Sequence, residues 1–401
     1  MRYSRVRRIL ECQRGIALPM ALMALLILSA MIIAFSMLAA SEPVLANNQL
    51  QIAQARAVAE SGLERAIWAL NNPVDPDGIP NPLVTPAAPY NGTTAVPVML
   101  NGAQLGVFVV SVTNGATANE RNVVATGWTP TNVGPDPKAK QRITTTVYKI
   151  RPLDPPAALV VRGEINAGGN SIIDSRSDTS CGNKAGTWSL GTTSIGGSAS
   201  IYSHDGDNSA NQLTDAWQNL PSSAFDPYTY SNTELSAFKT IAKSQGTYYQ
   251  GAVTFNSSNR IPNGLVYIDT LSGQNIDTGG PNTTPISDFA SVDIHGNAPA
   301  DSSGIFSGWL IVAGSLSISG SFQMHGMIYV LNDLAYTGTG TGEIAGAVLT
   351  QNIRDTSSTT IDTNTHGNAA IYYNCGYATT GGGQVPQTWT IESGTYREVS
   401  G

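Results

Sequence analysis

An uncharged apolar segment near the N-terminus constrains the chain more than any other feature. The 25 residues from Ile16 to Ala40 contain no charged side chain. As an α-helix this segment would be about 37 Å long, enough to cross a hydrocarbon core of about 30 Å. A secretory signal peptide has a shorter apolar core, of about 7–15 residues, followed by a small-residue cleavage site. The segment therefore predicts a membrane-spanning helix that is retained.

The charges around this segment predict its orientation. Residues 1–15 contain five arginines and one glutamate, and arginines flanking a span favour the cytoplasmic side. The rest of the chain is therefore expected outside the cytoplasm. Removing residues 1–15, with their net charge of +4, would change the net charge from −7 to −11. Such an acidic chain argues against nucleic acid as a partner.

The helix is predicted to continue well beyond the membrane, over residues 16–71 and about 84 Å. Pro43 is expected to kink it, because proline lacks the N–H group of the helical hydrogen bond. The segment Asn71-Asn72-Pro73 is expected to end it. Apolar residues recur with helical spacing along one face: Leu45, Ile52, Ala59, Leu63, Ile67 and Leu70.

Two segments carry a resemblance to a known family. The junction Gln13-Arg-Gly-Ile-Ala-Leu18 resembles the leader junction of type IV prepilins and type II secretion pseudopilins. The segment Ala53–Leu70, AQARAVAESGLERAIWAL, resembles the Ala/Glu/Gly signature of PilX-type minor pilins. The resemblance implies cleavage by the prepilin peptidase between Gly15 and Ile16. Together the matching segments cover about the first sixth of the chain.

One position departs from the common pilin pattern. Most pilins carry glutamate at the fifth mature position, whereas this chain has Met20. Among relatives the same departure is typical of PilX-type and type II K-type subunits, which lie at or near the filament tip. The resemblance implies other major and minor pilins and the inner-membrane assembly platform as partners. It also implies a single-pass bacterial inner-membrane protein that becomes extracellular on the pilus.

The sequence after the helix predicts two β-rich regions, and hence an α+β chain. Alternating β-branched and aromatic residues at 106–113, 122–128 and 141–150 predict an antiparallel sheet packed on the helix, within a domain at 73–151. The proline-rich segment Pro152–Pro156 reads as a linker to a second domain at 152–401.

The second domain shows a repeat of short apolar strands. The residues Ile311, Ile328, Val348 and Ile371 recur at spacings of 17, 20 and 23, which suggests a β-solenoid. An antiparallel β-sandwich would also suit glycine-rich strands. The range from about 175 to 260 does not fit the repeat and is predicted to be an insertion with one or two short helices. One of these includes Leu235, Phe238 and Ile241 at helical spacing.

Few residues suggest chemistry. Cys12 leaves with the leader, and Cys181 and Cys375 are expected to form a disulfide outside the cytoplasm. Asp205 and Asp207 resemble the start of a calcium loop, but the other ligands of that loop are missing. The four histidines share no metal-ligand spacing: His204, His295, His325 and His366.

These patterns predict a non-enzymatic filament subunit without a cofactor. Its roles would be assembly through the helix and display of the second domain, either structurally or as an adhesin for surfaces or glycans. The aromatic residues Trp309, Tyr329, Tyr372 and Tyr373 are candidates for exposed contacts. A carbohydrate-active solenoid enzyme is a third alternative, and Asp293 and His295, on one strand face, are the residues it would use.

Overall fold

The computed structural model describes most of the chain after the first sixteen residues. The described residues are 17–72, 74–76, 78, 88–117, 119–134, 138–204, 215–276, 284–299, 302–354, 361–385, 387–392 and 394–400. They form two compact units, 1–147 with 395–401 and 148–394. The division falls close to the predicted linker. The last residues of the chain, however, return to the first unit, because they pair with one of its strands.

Helix α1 of the first unit extends from Ala17 to Asn71 and continues through Pro43 without a break in its helical assignment. Its length at about 1.5 Å per residue is about 80 Å. Within the described part of the chain it is the one helix long and apolar enough to cross a membrane. The helix is thus consistent with single-pass anchoring.

The sheet of the first unit contains the three predicted strands and two more. They are β1 (Asn91–Leu100), β2 (Ala103–Asn114), β3 (Glu120–Thr129), β4 (Ala139–Lys149) and β24 (Arg397–Ser400). Neighbours β1 and β2, β2 and β3, and β24 and β4 pair antiparallel. Strand β1 was not predicted because it contains Gly92 and Pro97, which are unfavourable within strands.

The C-terminal part of α1 packs on this sheet at very short range. Its small buried residues include Ala55, Ala59 and Gly62. An added Cβ at Gly127 of β3 would lie 2.5 Å from the backbone nitrogen of Ala59 and closer still to the carbonyl oxygen of Ala55. Glycine therefore lets the helix backbone lie directly against the strand.

The second unit consists mainly of two sheets. One has eleven strands: β5 (Ala157–Val161), β7 (Ile172–Asp174), β8 (Ala185–Ser189), β10 (Ser200–Tyr202), β11 (Ala216–Trp217), β12 (Tyr248–Gln250), β14 (Gly264–Asp269), β16 (Ile305–Val312), β18 (Gln323–Val330), β20 (Glu343–Thr350) and β22 (Ala370–Tyr373). The other has seven: β6 (Glu164–Ala167), β9 (Thr193–Ile195), β13 (Ala252–Phe255), β15 (Ala290–His295), β17 (Gly314–Gly320), β19 (Leu334–Gly338) and β21 (Ile361–Gly367). A short strand, β23, covers Trp389–Ile391.

Consecutive strands alternate between these two sheets. From β12 to β22 each strand in the eleven-stranded sheet is followed by one in the seven-stranded sheet. The pairings described within both sheets are parallel. This differs from the antiparallel sandwich considered as the alternative, because adjacent strands of a sandwich are joined by hairpins.

The register of the repeat differs from the one expected. Ile328 pairs with Val348, as the spacing suggested. Ile311, however, pairs with Tyr329, and Ile371 pairs with Ile344. These strands are apolar at successive positions, so their sequence lacks the alternation that would specify register.

The range 175–260 is not simply a helical insertion. It contains helix α2 (Asn232–Gln245), with a capping box between Ser231 and Glu234, and a 3-10 helix at Ser222–Tyr228. It also contributes β8 to β13, which belong to the two sheets. These strands were not predicted because all six have only two to five residues. A third helix, α3, covers Cys375–Thr380.

The eleven-stranded sheet is apolar on both faces because both are covered. In β16, Leu310 and Val312 face the core shared with the seven-stranded sheet. Trp309 and Ile311 lie in a second core, which includes Phe238 of α2. The seven-stranded sheet is buried on one face only, and β15 alternates between buried and exposed residues along its length. Continuous apolar runs are typical of parallel strands buried on both faces.

A row of glycines crosses the eleven-stranded sheet. Gly264, Gly308, Gly326 and Gly346 pair in register on β14, β16, β18 and β20. An added Cβ at Gly308, for example, would collide with the backbone of Gly264. A Cβ at Gly326 or Gly346 would collide with the neighbouring strand in the same way, whereas Gly264 has a φ of +111°, which disfavours other residues.

We expect Gly127→Ala to lower the free energy of unfolding of the first unit by about 3 kcal/mol, since overpacking forces backbone shifts. Thermal unfolding of the full chain in detergent, followed by circular dichroism, measures the effect. Gly196→Ala is the control, because an added Cβ there has its nearest atom at 4.0 Å. Equal stability of the two variants would contradict the close approach.

Candidate functional sites

The first candidate site is the exposed part of α1. Its side chains from Ala17 to Leu50 are exposed, and the first buried residue is Ala55. Met20 is 67% exposed. The residues Gly15 and Ile16 lie outside the described residues, so cleavage between them remains a prediction.

The exposed segment of α1 is longer than a bilayer requires. Apolar residues Leu45, Leu50 and Ile52 are exposed beyond the uncharged stretch that ends at Ala40. On a helical wheel of 100° per residue, Leu45 and Ile52 lie on the face that packs on the sheet further along, through Ala59 and Leu63. One apolar face of the helix thus extends beyond the sheet, which covers only the C-terminal part of that face.

A buried ion pair fixes the end of α1. Arg65 Nη2 donates to Asp75 Oδ2 at 2.9 Å, and the hydroxyl of Tyr90 donates to the same oxygen at 3.3 Å. Asp75 and Tyr90 are buried. Burial raises the pKa of Tyr90, and the hydrogen bond with Arg65 opposes this shift. The group joins the helix, the segment after it and the start of β1.

A second ionic group joins α1 to the last strand. Arg56 contacts Glu60 one turn away at 3.0 Å and Glu398 of β24 at 2.7 Å. These side chains are exposed, so the pairs contribute little to stability. They nevertheless place charged groups beside the packed end of the helix.

Cys181 and Cys375 are joined by a disulfide, with a Cα–Cα distance of 5.9 Å and a sequence separation of 194. Asp178 lies beside the bond. Its carboxylate accepts hydrogen bonds from Ser180 and from the backbone N–H of Cys375 at 2.7 Å. The bonds from Ser180 lower the pKa of Asp178 below its usual value. The Asp154 carboxylate also approaches the two sulfurs, but bonded sulfurs are not the thiolates that bind metals.

The remaining residues with predicted roles do not form one site. Asp205 and Asp207, the calcium candidates, lie outside the described residues. His295 Nδ1 lies 3.1 Å from Ser319 Oγ, and the ring of His325 stacks on Tyr377. His366 Nε2 lies 3.3 Å from Asn166 Nδ2.

The aromatic residues proposed as exposed contacts were assigned wrongly in three of four cases. Trp309, Tyr329 and Tyr373 are fully buried, and Tyr372 is half-buried. Trp309 contacts Phe238 edge-on, with ring centroids 6.1 Å apart. For Trp309 and Tyr329 the error arose because helix α2, which helps to cover their face of the sheet, comes from a distant part of the sequence. Tyr373 lies instead in the core shared with the seven-stranded sheet.

Sequence reasoning missed a groove in the second unit. It has a volume of about 360 Å³, and Trp188 and Trp217 stack beside it with centroids 5.3 Å apart and rings 13° from parallel. Trp217 is 52% exposed. Only the two tryptophans themselves signal this site in the sequence, and their pairing depends on the strand register. The groove is also lined by Asp154, Pro156, Asn183, Lys184, Ala185, Ser203, His204 and Tyr228.

Comparison with known proteins assigns no family. No protein-family model matches the chain, and no curated protein matches it. A solved structure, the competence-associated pilin ComZ from Thermus thermophilus, aligns over 88% of this chain and 98% of that chain. The sequence identity is 12% and the TM-score is 0.24, too low to establish a shared fold.

We expect Asp178→Asn to destabilise the second unit at neutral pH by about 1 kcal/mol, because it removes charge-assisted hydrogen bonds. A carboxylate whose pKa is lowered by folding stabilises the protein above its unfolded pKa and loses this effect as the pH falls through the folded pKa. The difference from wild type should therefore begin to shrink below the usual value of 3.8 and vanish only below the lowered pKa of the folded protein.

Thermal midpoints at pH 7 and at pH 2.5–3, measured without reductant, check this expectation. Asp226→Asn, at an exposed carboxylate in the 3-10 helix Ser222–Tyr228, is the control. A difference that persists unchanged in acid would show that the carboxylate charge is irrelevant.

Proposed function

We propose that the chain is a pilin-like subunit of a type IV pilus system, matured between Gly15 and Ile16 and assembled through α1. Before assembly the helix anchors the protein in the inner membrane. After assembly it packs among the helices of other major and minor pilins. The prepilin peptidase and the assembly platform are the partners that this pathway requires.

The apolar face of α1 is the observation that carries this proposal. A membrane anchor needs about 20 apolar residues, whereas here an apolar face continues through Leu45 and Ile52 to the sheet. Side chains of this kind are stabilised when they are removed from water. Packing against neighbouring helices in a filament would bury them, and a plain anchor would not.

Met20 supports a position at or near the filament tip. It is an exposed thioether at the fifth mature position and offers no carboxylate to the N-terminal amine of a neighbouring subunit. A subunit without that ion pair suits the initiating or end position better than the repeating body of a filament.

Display of the second unit is a second candidate role. The alternating parallel strands support its interpretation as a β-solenoid, in which stacked rungs bury apolar residues against their neighbours. The exposed Trp217 beside a polar groove favours an adhesin role. We propose that this unit binds rather than catalyses, and activity screens on carbohydrate substrates would test the enzymatic alternative.

The N-terminus of the membrane-extracted protein tests maturation. Mass spectrometry should find a chain that begins at Ile16, because the leader junction predicts cleavage after Gly15. The variant Gly15→Leu should keep residues 1–15. An intact Met1 in the wild-type protein, or a start near Ser41, would contradict the proposal.

Ile52→Ser tests assembly without altering the anchor. If this side chain is buried in the filament, its loss should lower incorporation about tenfold, since burial of such a side chain contributes about 1.5–3 kcal/mol. Immunoblots of sheared filaments and membranes measure the ratio of assembled to anchored protein. The control is Asn47→Ser, another exposed residue of the same helix segment. Equal incorporation of both variants would indicate that α1 serves as an anchor only.

A further inference from the structure

We propose that the groove beside Trp217 binds a neutral oligosaccharide. A sugar ring would stack on the exposed face of Trp217, and its hydroxyls would bond to Asp154 and Asn183. This inference deepens the display role proposed above by naming a ligand class. It does not depend on whether α1 polymerises.

The outer face of Trp217, supported by the Trp188 ring stacked behind it, forms a flat apolar platform. Trp188 on β8 pairs in register with Trp217 on β11, so their rings lie next to each other on neighbouring parallel strands. Among the described strands, β11 is the last on its branch of the sheet, since it pairs only with β8. The Trp217 ring is therefore accessible from the side away from Trp188, as its 52% exposure shows.

Such a platform suits a pyranose ring. The face of an indole ring is electron-rich, and it attracts groups that carry partial positive charge. One face of many pyranoses presents several polarised C–H groups and little else. The remaining ring positions carry hydroxyls, which need donors and acceptors at the edge of the platform.

The groove supplies these polar groups. Lys184 Nζ donates to Asp154 Oδ1 at 2.6 Å, and the Tyr373 hydroxyl donates to the same oxygen at 2.8 Å. Within the described part of the chain, Asp154 Oδ2 has no hydrogen bond assigned to it and can accept from a sugar hydroxyl. The amide of Asn183, which is exposed, offers both a donor and an acceptor.

The charges in the groove favour a neutral ligand. Lys184 is 8% exposed and its ammonium is held by Asp154, so it is not presented to an anion. The acid and the base also cancel each other's charge. An acidic saccharide would therefore find no accessible cation among these groups.

The groove is held in place before any ligand arrives. The disulfide lies beside Asp154, and the buried Tyr373 positions the carboxylate from below. Ser203 donates to Asp215, which lies directly before β11. Because these groups are already ordered, binding would carry little cost from immobilising side chains.

Glycan binding by the full chain tests the proposal. The protein is kept monomeric in a polyoxyethylene detergent, because detergents with sugar headgroups would compete. The probes are arrayed neutral oligosaccharides of hexose and N-acetylhexosamine, with sialylated glycans for comparison. Positive probes are titrated by tryptophan fluorescence.

We expect neutral glycans to bind, and Trp217→Ala to weaken binding at least about tenfold through loss of the stacking surface. Trp217→Phe should retain part of the affinity. Trp68→Ala, at an exposed tryptophan on α1, should bind as wild type does. Circular dichroism and the unfolding midpoint establish that each variant is folded.

Three results would overturn the proposal. These are no binding to any neutral glycan by the folded wild-type chain, binding that Trp217→Ala leaves unchanged, and binding of sialylated glycans only. A fourth result would also overturn it. If the Trp217 side chain is shielded from solvent in the absence of glycan, to an extent that rises with protein concentration, its face binds a second copy of the chain instead. Any of these results would leave maturation and incorporation of the subunit to be judged by their own experiments.

Discussion

Burial of both faces of the eleven-stranded sheet is the constraint on which the second unit depends. Parallel strands need a cover on each face, and here the seven-stranded sheet covers one face and α2 contributes to covering the other. This requirement explains why the strands are apolar at successive positions. The aligned glycines have a separate cause, because an added Cβ at Gly308, Gly326 or Gly346 would collide with the backbone of the neighbouring strand. The buried Asp269 of β14 forms an ion pair with Lys239 of α2, with 2.7 Å between its Oδ2 and the lysine Nζ.

The first unit depends on a different interaction, the packing of helix α1 on its sheet. Its sheet packs against the C-terminal end of a helix about 80 Å long. Gly127 allows the backbone of β3 to lie directly against the backbone of the helix. The buried pair of Arg65 and Asp75 then fixes where the helix ends. Removing one partner of such a pair is costly, because it leaves an uncompensated charge in the interior. The remainder of the helix is left exposed, which is an arrangement that only a membrane or other subunits would satisfy.

The groove forms because the pairing of the strands brings distant parts of the sequence together. Trp188 and Trp217 lie on two different short strands, and the parallel register of those strands places the two side chains side by side. Asp154 comes from the segment before β5, while Tyr373 is the last residue of β22, the last strand of the eleven-stranded sheet in chain order. A surface assembled from such distant segments depends on the whole unit being folded, and the disulfide links two of those segments.

The sequence by itself determined the long helix, the antiparallel strands β2 to β4 and the recurrence of short strands, because these depend on local composition and periodicity. It also predicted the bond between Cys181 and Cys375, which the structure contains. Only the tertiary structure decided the register of the parallel strands, since apolar runs without alternation fit several registers. It likewise decided that Trp309 and Tyr329 are buried and that Trp217 is exposed. Exposure depends on which distant segment covers a face, and no local pattern in the chain specifies that.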